Sequence, residues 1–166
     1  DQEQVIIVQL TDAGVRTLYP AFRDRIKELP SVVNISGSSS APGFFVGTNL
    51  VVPEGVSQEE NVFAQTFQAA FDFIETLGIQ IIAGRGHSEA HPSDSLGAFV
   101  INESALSEFG WDTDPNLAIE RHISFPGGNF QGEIIGVTED FHAESLHEPI
   151  EPALITVANK QSFFTP

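Results

Sequence analysis

The chain has 166 residues, which suits one domain or two small subdomains, and its apolar content is sufficient for a buried core. Acids outnumber bases by 23 to 7, and the resulting formal net charge of −16 argues against nucleic acid and anionic lipid headgroups as partners. Cysteine and methionine are both absent, which excludes disulfides, thiolate zinc sites and a cysteine nucleophile, and predicts a fragment or a processed chain.

The N-terminal part of the sequence predicts a buried strand followed by an amphipathic helix. Residues 3–10, EQVIIVQL, form a β-branched run of the kind found in buried strands. Residues 15–29 carry apolar side chains at helical spacing, which predicts a helix with one face in the core. These side chains are Leu18, Phe22, Ile26 and Leu29. Because Pro20 has no amide hydrogen, it fits this helix only in the first turn.

The remainder of the sequence alternates short strands with two further short helices. Strands are predicted at 44–53, 61–69, 79–84, 97–101, 118–125, 130–137 and 151–158. The two helices, at 69–78 and 103–110, each end at a glycine, and Asn102 is a suitable N-cap for the second. With about eight strands and three short helices, the chain is predicted to be an α+β protein with a mixed sheet.

The acidic residues are scattered along the chain rather than clustered. One explanation is a function that attracts cations, and the other is adaptation to a very salty medium, where screening weakens self-repulsion. The scatter favours salt adaptation. Three of the seven bases, Arg23, Arg25 and Lys27, lie in one short stretch.

The most heavily charged stretch, residues 139–148, follows a predicted core strand. Its ionisable side chains are Glu139, Asp140, His142, Glu144, His147 and Glu148. Paired carboxylates can perform acid–base catalysis, but in a chain with 23 acids some pairs are expected by chance. A serine near a histidine in sequence does not make a triad, and no G-x-S-x-G motif is present. No catalytic residue is therefore assigned.

Metal and nucleotide sites are also disfavoured. His87 and His91 have the spacing of metal-binding helices, but they lie in a predicted loop and a proline follows His91. His142 and His147 are five residues apart, which matches neither a helix face nor a strand face. The stretch GRGHSE at 84–89 lacks the third glycine of a dinucleotide-binding loop. No metal ligand and no cofactor is assigned.

Three stretches, taken together, resemble a known family. They are FDFIETLGIQIIAGRGHSE (71–89), VINESALSEFGW (100–111) and GEIIGVTEDFHAESLHEPIEPALI (132–155). In order and spacing they resemble the extracytoplasmic, or periplasmic core, domain of FtsX-like, MacB-type ABC transporter permeases. The resemblance covers residues 61–158 well and the N-terminal part more loosely. Gly86 and His87 depart from the family pattern, which commonly has an Asp-Phe pair there.

The resemblance implies a single extracytoplasmic domain over residues 1–166, with a porter-like βαβ unit and a second small β-rich lobe. It implies that one transmembrane helix precedes Asp1 and another follows Pro166, on the periplasmic side of the bacterial inner membrane. It also implies that the domain is non-catalytic and that a separate cytoplasmic ATPase hydrolyses ATP. The implied partners are the transmembrane helices, that ATPase, a periplasmic adaptor or exported substrate, and a second permease in a dimer.

The resemblance and the charge pattern predict two partner-facing segments, the polar loop 85–96 and the connection 139–150. Apolar anchors are predicted for the connection at Phe141, Leu146 and Ile150, with its charged residues facing solvent or a partner. The alternative is a soluble ligand-binding, metal-binding or hydrolytic domain that uses the segment 139–148.

Overall fold

The computed structural model describes residues 5–10, 18–41, 43–57, 60, 62–111, 114–126, 130–142 and 149–158. The helices are α1 (Tyr19–Lys27), α2 (Phe73–Thr76) and α3 (Glu103–Glu108), with 3₁₀ turns at Pro92–Leu96 and Pro115–Ala118. The strands are β1 (Thr48–Pro53), β2 (Val62–Ala69), β3 (Ile81–Gly84), β4 (Ala98–Asn102), β5 (His122–Ser124), β6 (Gln131–Thr138) and β7 (Ala153–Val157). The predicted α+β class is confirmed.

All seven strands belong to one mixed sheet in the order β3-β6-β4-β7-β2-β1-β5. The pairs β4–β6 and β2–β7 are parallel, and the others are antiparallel. Because β5 pairs with the end of β1 and also with the start of β6, six strands close into a ring. Strand β3 pairs with the second half of β6. The predicted second β-rich lobe therefore has no separate sheet among the described residues.

The two faces of the sheet carry two apolar clusters. The larger cluster lies inside the ring, because all six ring strands contribute to it, and it includes the fully buried Phe99, Ile123 and Leu154. The smaller cluster lies on the opposite face, where α2 packs Phe73 and Ile74 against the sheet. Strand β2 contributes to both clusters, with Val62 and Ala64 in the larger and Phe67 and Ala69 in the smaller.

A bulge in β6 decides which of its side chains enter the ring. Phe99 pairs with Ile134 and the next residue of β4, Val100, pairs with Gly136, so Ile135 is the extra residue. Alternation along a regular strand would place Ile134 and Val137 on opposite faces. The bulge brings both into the larger cluster.

Two glycines allow the backbones of β3 and β6 to approach closely at the end of β3. Gly84 has a φ of +65°, and a Cβ on it would lie 2.3 Å from the Ile135 carbonyl oxygen. A Cβ on Gly136 would lie 2.1 Å from the Arg85 carbonyl oxygen. No side chain fits at either position without a backbone shift.

The N-terminal predictions are partly wrong. The described residues of the predicted first strand, 5–10, form no strand, and Val5, Ile6 and Val8 are exposed. Helix α1 forms, with Pro20 in its first turn as predicted, but it buries none of its residues. Strand propensity alone does not make a strand, because among the described residues no strand of the sheet pairs with this run, although β3 leaves one edge of the sheet free.

Candidate partner-facing segments

The beginning of the connection 139–150 is bonded back onto the domain. The backbone amide of Glu139 donates to the Gln80 carbonyl oxygen at 2.9 Å, and the Gln80 amide donates to Glu139 Oε1 at 3.4 Å. Asp140 accepts two bonds from Ser104, one from its amide and one from its Oγ, both at 2.8 Å. His142 is exposed. Glu144, His147 and Glu148 lie outside the described residues, as does the predicted anchor Leu146.

The end of the connection is held by Asn102, which is fully buried at the junction of β4 and α3. Its Oδ1 accepts from the Ala105 amide at 3.1 Å and from the Ala153 amide at 2.8 Å. Its Nδ2 donates to the Glu151 carbonyl oxygen at 3.0 Å. The predicted N-cap is therefore confirmed, and the same side chain also fixes the entry to β7.

Apolar contacts complete this attachment. The Phe141 ring lies 5.9 Å from the Phe67 ring, centroid to centroid, and packs against the smaller apolar cluster. Ile150 is half-buried. Of the three predicted anchors, Phe141 is confirmed and Ile150 is partly buried. Both described ends of the connection thus meet at the corner between β4 and α3.

An open, mostly polar cleft of about 510 Å³ lies at this corner. Its lining residues are Glu103, Ser104, Ser107, Glu108, Asp140, Ile150 and Pro152. Both carboxylate oxygens of Asp140 accept bonds from Ser104, and the bond from the Ser104 amide helps to cap the first turn of α3. No three His, Cys, Asp or Glu side chains converge as metal ligands among the described residues.

The loop 85–96 is organised by a bidentate ion pair. Arg85 Nη1 and Nη2 lie 2.7 and 2.8 Å from the two carboxylate oxygens of Asp94, which is only 3% exposed. Burial alone would raise the pKa of Asp94, but the bonds from Arg85 outweigh it and leave this pKa below its ordinary value. The same bonds raise the pKa of Arg85. The loop is therefore fixed at its base.

His87 is buried inside this loop, whereas His91 is exposed, and no helix joins them. His87 Nε2 lies 3.0 Å from the Ala98 carbonyl oxygen, so the neutral ring donates there to the first residue of β4. Burial lowers the pKa of His87, and the bond to Ala98 opposes the shift only in part. His87 thus connects the loop 85–96 to the start of β4 through a buried hydrogen bond.

Sequence reasoning identified the charged residues of both segments but missed the residues that hold them. Ser104 and Gln80 contact the connection from 36 and 59 positions away, and Asp94 was not singled out as the partner of Arg85. Only Asn102 gave a usable signal, as a capping residue before a predicted helix.

No protein-family description matches the sequence. No curated protein matches it either. Within the described ranges, no helix is long and apolar enough to cross a membrane.

Solved structures of similar fold include three extracytoplasmic or permease domains. The periplasmic region of MacB from Actinobacillus actinomycetemcomitans is 13% identical with a TM-score of 0.57, matching 86% of this chain and 56% of that one. A domain of a protein named as a permease from Porphyromonas gingivalis is 18% identical with a TM-score of 0.55, over 88% and 59% of the two chains. The extracellular domain of the ABC-type transporter YknZ from Gram-positive bacteria is 14% identical with a TM-score of 0.56, over 84% and 62%.

These likenesses concern the fold. The chain spans between 56% and 62% of the length of these structures. The described residues of the motifs 71–89, 100–111 and 132–155 include helices α2 and α3 and all or part of strands β3, β4, β6 and β7. The resemblance predicted from those motifs is thereby confirmed at the level of the fold, which is that of MacB-like extracytoplasmic permease domains.

Proposed function

We propose that the chain is an extracytoplasmic domain of an ABC transporter permease, and that it transmits conformational change without catalysing a reaction. The observation that carries this proposal is the likeness in fold to three such domains over 84% to 88% of the chain. The domain would lie on the periplasmic side of the bacterial inner membrane, between two transmembrane helices. A separate cytoplasmic ATPase would supply the energy.

The chemistry of the charged segment supports a non-catalytic role. Asp140 is engaged by Ser104, and Glu139 is bonded to the backbone of Gln80. These bonds tie the segment to the rest of the domain, which is a structural use of its carboxylates. The six ring strands are paired to one another around the whole ring, which suits a domain that moves as a unit with the helices attached to it.

We further propose that the connection 139–150 and the loop 85–96 contact an adaptor, an exported substrate or a second permease. Both segments have fixed bases, at Asp140 and at the Arg85–Asp94 pair, and both present exposed side chains such as His142 and His91. A surface that is fixed at its base binds a partner at a lower cost in conformational entropy.

The location can be tested by labelling in intact cells. The chain has no cysteine, and Glu75 is exposed on α2, so Glu75→Cys in the full-length protein places one thiol on this domain. We expect a membrane-impermeant maleimide to label it in intact spheroplasts, with the unsubstituted full-length protein as the control. Labelling only after lysis would exclude an extracytoplasmic domain.

The partner-facing role can be tested by charge reversal in the full-length transporter. We expect Glu139→Lys, Glu144→Lys and Glu148→Lys together to reduce transport-coupled ATPase activity without lowering expression. Reversal of three exposed acids elsewhere, Glu60, Glu75 and Glu133, makes the same change in net charge and serves as the control. Equal activity in the two triple variants would contradict the role of the connection.

The alternative, a metal-binding or hydrolytic use of residues 139–148, predicts a ligand effect on stability. A site held at 100 times its dissociation constant would add about 2.7 kcal/mol to the free energy of unfolding. We expect no shift in melting temperature with zinc, magnesium or calcium. A shift that disappears in His142→Gln would favour the alternative.

A further inference from the structure

Helix α1 is attached to the domain in an unusual way. An amphipathic helix normally buries its apolar stripe, but here Leu18, Phe22 and Leu29 are 63%, 38% and 47% exposed. Within the described part of the chain, none of the strands or other helices runs closely alongside α1. The chain after α1 is bonded to the sheet through the backbone of residues 37–39, whereas α1 itself is held by individual side-chain contacts.

Two of these contacts are ion pairs from the basic stretch to the sheet body, here defined as residues 62–158. Lys27 Nζ lies 3.3 Å from Asp72 Oδ2, immediately before α2. Arg23 Nη1 lies 3.6 Å from Glu89 Oε1, in the loop 85–96. The third base, Arg25, pairs at 3.7 Å with Glu28 and so stays within the N-terminal segment.

The third contact is the Tyr19 ring, which lies against Gly37. A Cβ on Gly37 would come within 2.8 Å of that ring, so the glycine provides the space that the ring occupies. Burial, with a further contribution from Asp72, raises the pKa of the Tyr19 phenol to about 12. Tyr19 is the sole tyrosine of the chain, which makes its phenol a specific reporter of the position of α1.

These contacts are weak and sensitive to salt. Partly exposed ion pairs contribute little to stability because water and ions screen them, and the Debye length falls from about 10 Å at 0.1 M salt to about 3 Å at 1 M. Asp72 Oδ1, although buried, accepts no hydrogen bond from the described residues. The sheet body behaves differently, because its cohesion comes from buried apolar clusters that salt does not screen.

We propose that α1 is a releasable strap, fastened to the sheet body by the pairs Lys27–Asp72 and Arg23–Glu89 and detaching as a unit when these pairs are broken. Release frees α1 from the sheet body and separates the loop 85–96 from its contact through Glu89. This inference does not depend on the transporter assignment, because it rests only on the contacts of α1.

Hydrogen exchange of the whole chain tests the strap. A detached helix of nine residues is too short to persist in water, so release should remove the protection of the α1 amides. We expect Arg23→Gln with Lys27→Gln to lower that protection roughly four- to twenty-five-fold, because each pair changes the docked population by about two- to five-fold. We expect the amides of β4 to keep their protection, which shows that the variant is folded.

Arg25→Gln is the matched control, since it removes one charge from the same helix without touching a pair to the sheet body. It should leave the protection of α1 close to that of the unchanged chain. Raising sodium chloride from 0.1 to 1 M should reproduce the effect of the double substitution. Equal effects of Arg25→Gln and the double variant, or an α1 protection that neither salt nor the double variant alters, would overturn the strap.

The pKa of the Tyr19 phenol provides a second measurement. It is expected to rise if α1 stays docked and to fall if α1 is released. Arg23 lowers the pKa of Tyr19, so removing its charge from a docked helix would raise this pKa further. Release would instead return it toward about 10. An absorbance titration of Arg23→Gln with Lys27→Gln that shows a lower phenol pKa supports the strap, and one that shows a higher pKa overturns it.

Discussion

The sheet body and the N-terminal segment, residues 5–45, use similar apolar residues in opposite ways. Ten of the fifteen large apolar side chains that are exposed among the described residues lie in the N-terminal segment, and none of its described residues is buried. The sheet body holds most of the buried core. The difference shows that apolar content forms a core only where strand pairing creates an enclosed face. The N-terminal segment has apolar residues but no enclosed face.

The largest difference between the two regions is expected when a glycine in each is replaced by alanine and the loss in free energy of unfolding is compared. Gly84→Ala should destabilise the sheet body by about 4 kcal/mol, since its Cβ would overlap the Ile135 carbonyl oxygen and its φ is positive. Gly43→Ala in the N-terminal segment, with a φ of +88° and open space around it, should cost about 1 kcal/mol or less. Urea unfolding followed by fluorescence of Trp111 measures both.

Gly78→Ala separates the cost of backbone strain at a positive φ from the cost of steric overlap by the added Cβ. Its φ of +67° nearly equals that of Gly84, but a Cβ there would meet nothing within 4 Å. It should therefore cost about 1 kcal/mol, the penalty of the left-handed conformation alone. If Gly78→Ala lowered the free energy of unfolding as much as Gly84→Ala, the backbones of β3 and β6 would not be tightly packed at Gly84.

A leucine in each region should show the next largest difference. Leu154→Ala, in the fully buried centre of β7, should cost about 3 kcal/mol because it removes buried methyl groups and leaves a cavity. Leu29→Ala, 47% exposed after α1, should change the free energy of unfolding by less than about 0.5 kcal/mol. A large loss for Leu29→Ala in calorimetry would mean that the N-terminal segment is covered in solution.

Two asparagines extend the comparison to hydrogen bonds. Asn102→Ala should cost about 2 kcal/mol, because it leaves the Ala105 and Ala153 amides buried without an acceptor. Asn34→Ala removes only a bond to the next residue, at Ile35, and should cost less than about 0.5 kcal/mol. Similar losses for the two variants in urea unfolding would contradict a central role for Asn102 at the β4–α3 corner.

The smallest effect is a pH dependence within the sheet body. Burial lowers the pKa of His87, so the unfolded chain binds a proton at higher pH than the folded chain. Its contribution to stability is therefore complete above about pH 6.5 and is lost as pH falls below that value, by at most about 1.4 kcal/mol per pH unit. His87→Gln should remove this slope between pH 7 and 5.

His91→Gln provides the control for this slope, since it lies in the same loop but is exposed. It should retain the pH dependence of the unchanged chain. Because the many acids also respond to pH, the free energy of unfolding of each variant is compared with that of the unchanged chain at the same pH. Identical slopes for His87→Gln and the unchanged chain would mean that His87 is reached by solvent.

Much of the candidate site was predictable, but not the contacts that shape it. Glu139, Asp140 and His142 were recognisable as a charged connection after a core strand. The bonds from Ser104 and Gln80 depend on the meeting of β3, β6 and α3, which no local pattern encodes. The partner-facing role of Glu144, His147 and Glu148 stays a prediction outside the described residues.

The sequence by itself determined the local features of the molecule. The N-cap at Asn102, the glycines that end two helices and most strand positions follow from short-range hydrogen bonding and sterics, which act within a few residues. Only the tertiary structure decided the closure of the ring by β5, the bulge at Ile135 and the exposure of α1. These depend on which sheet edges remain free once distant strands have paired, and strand propensity carries no information about that.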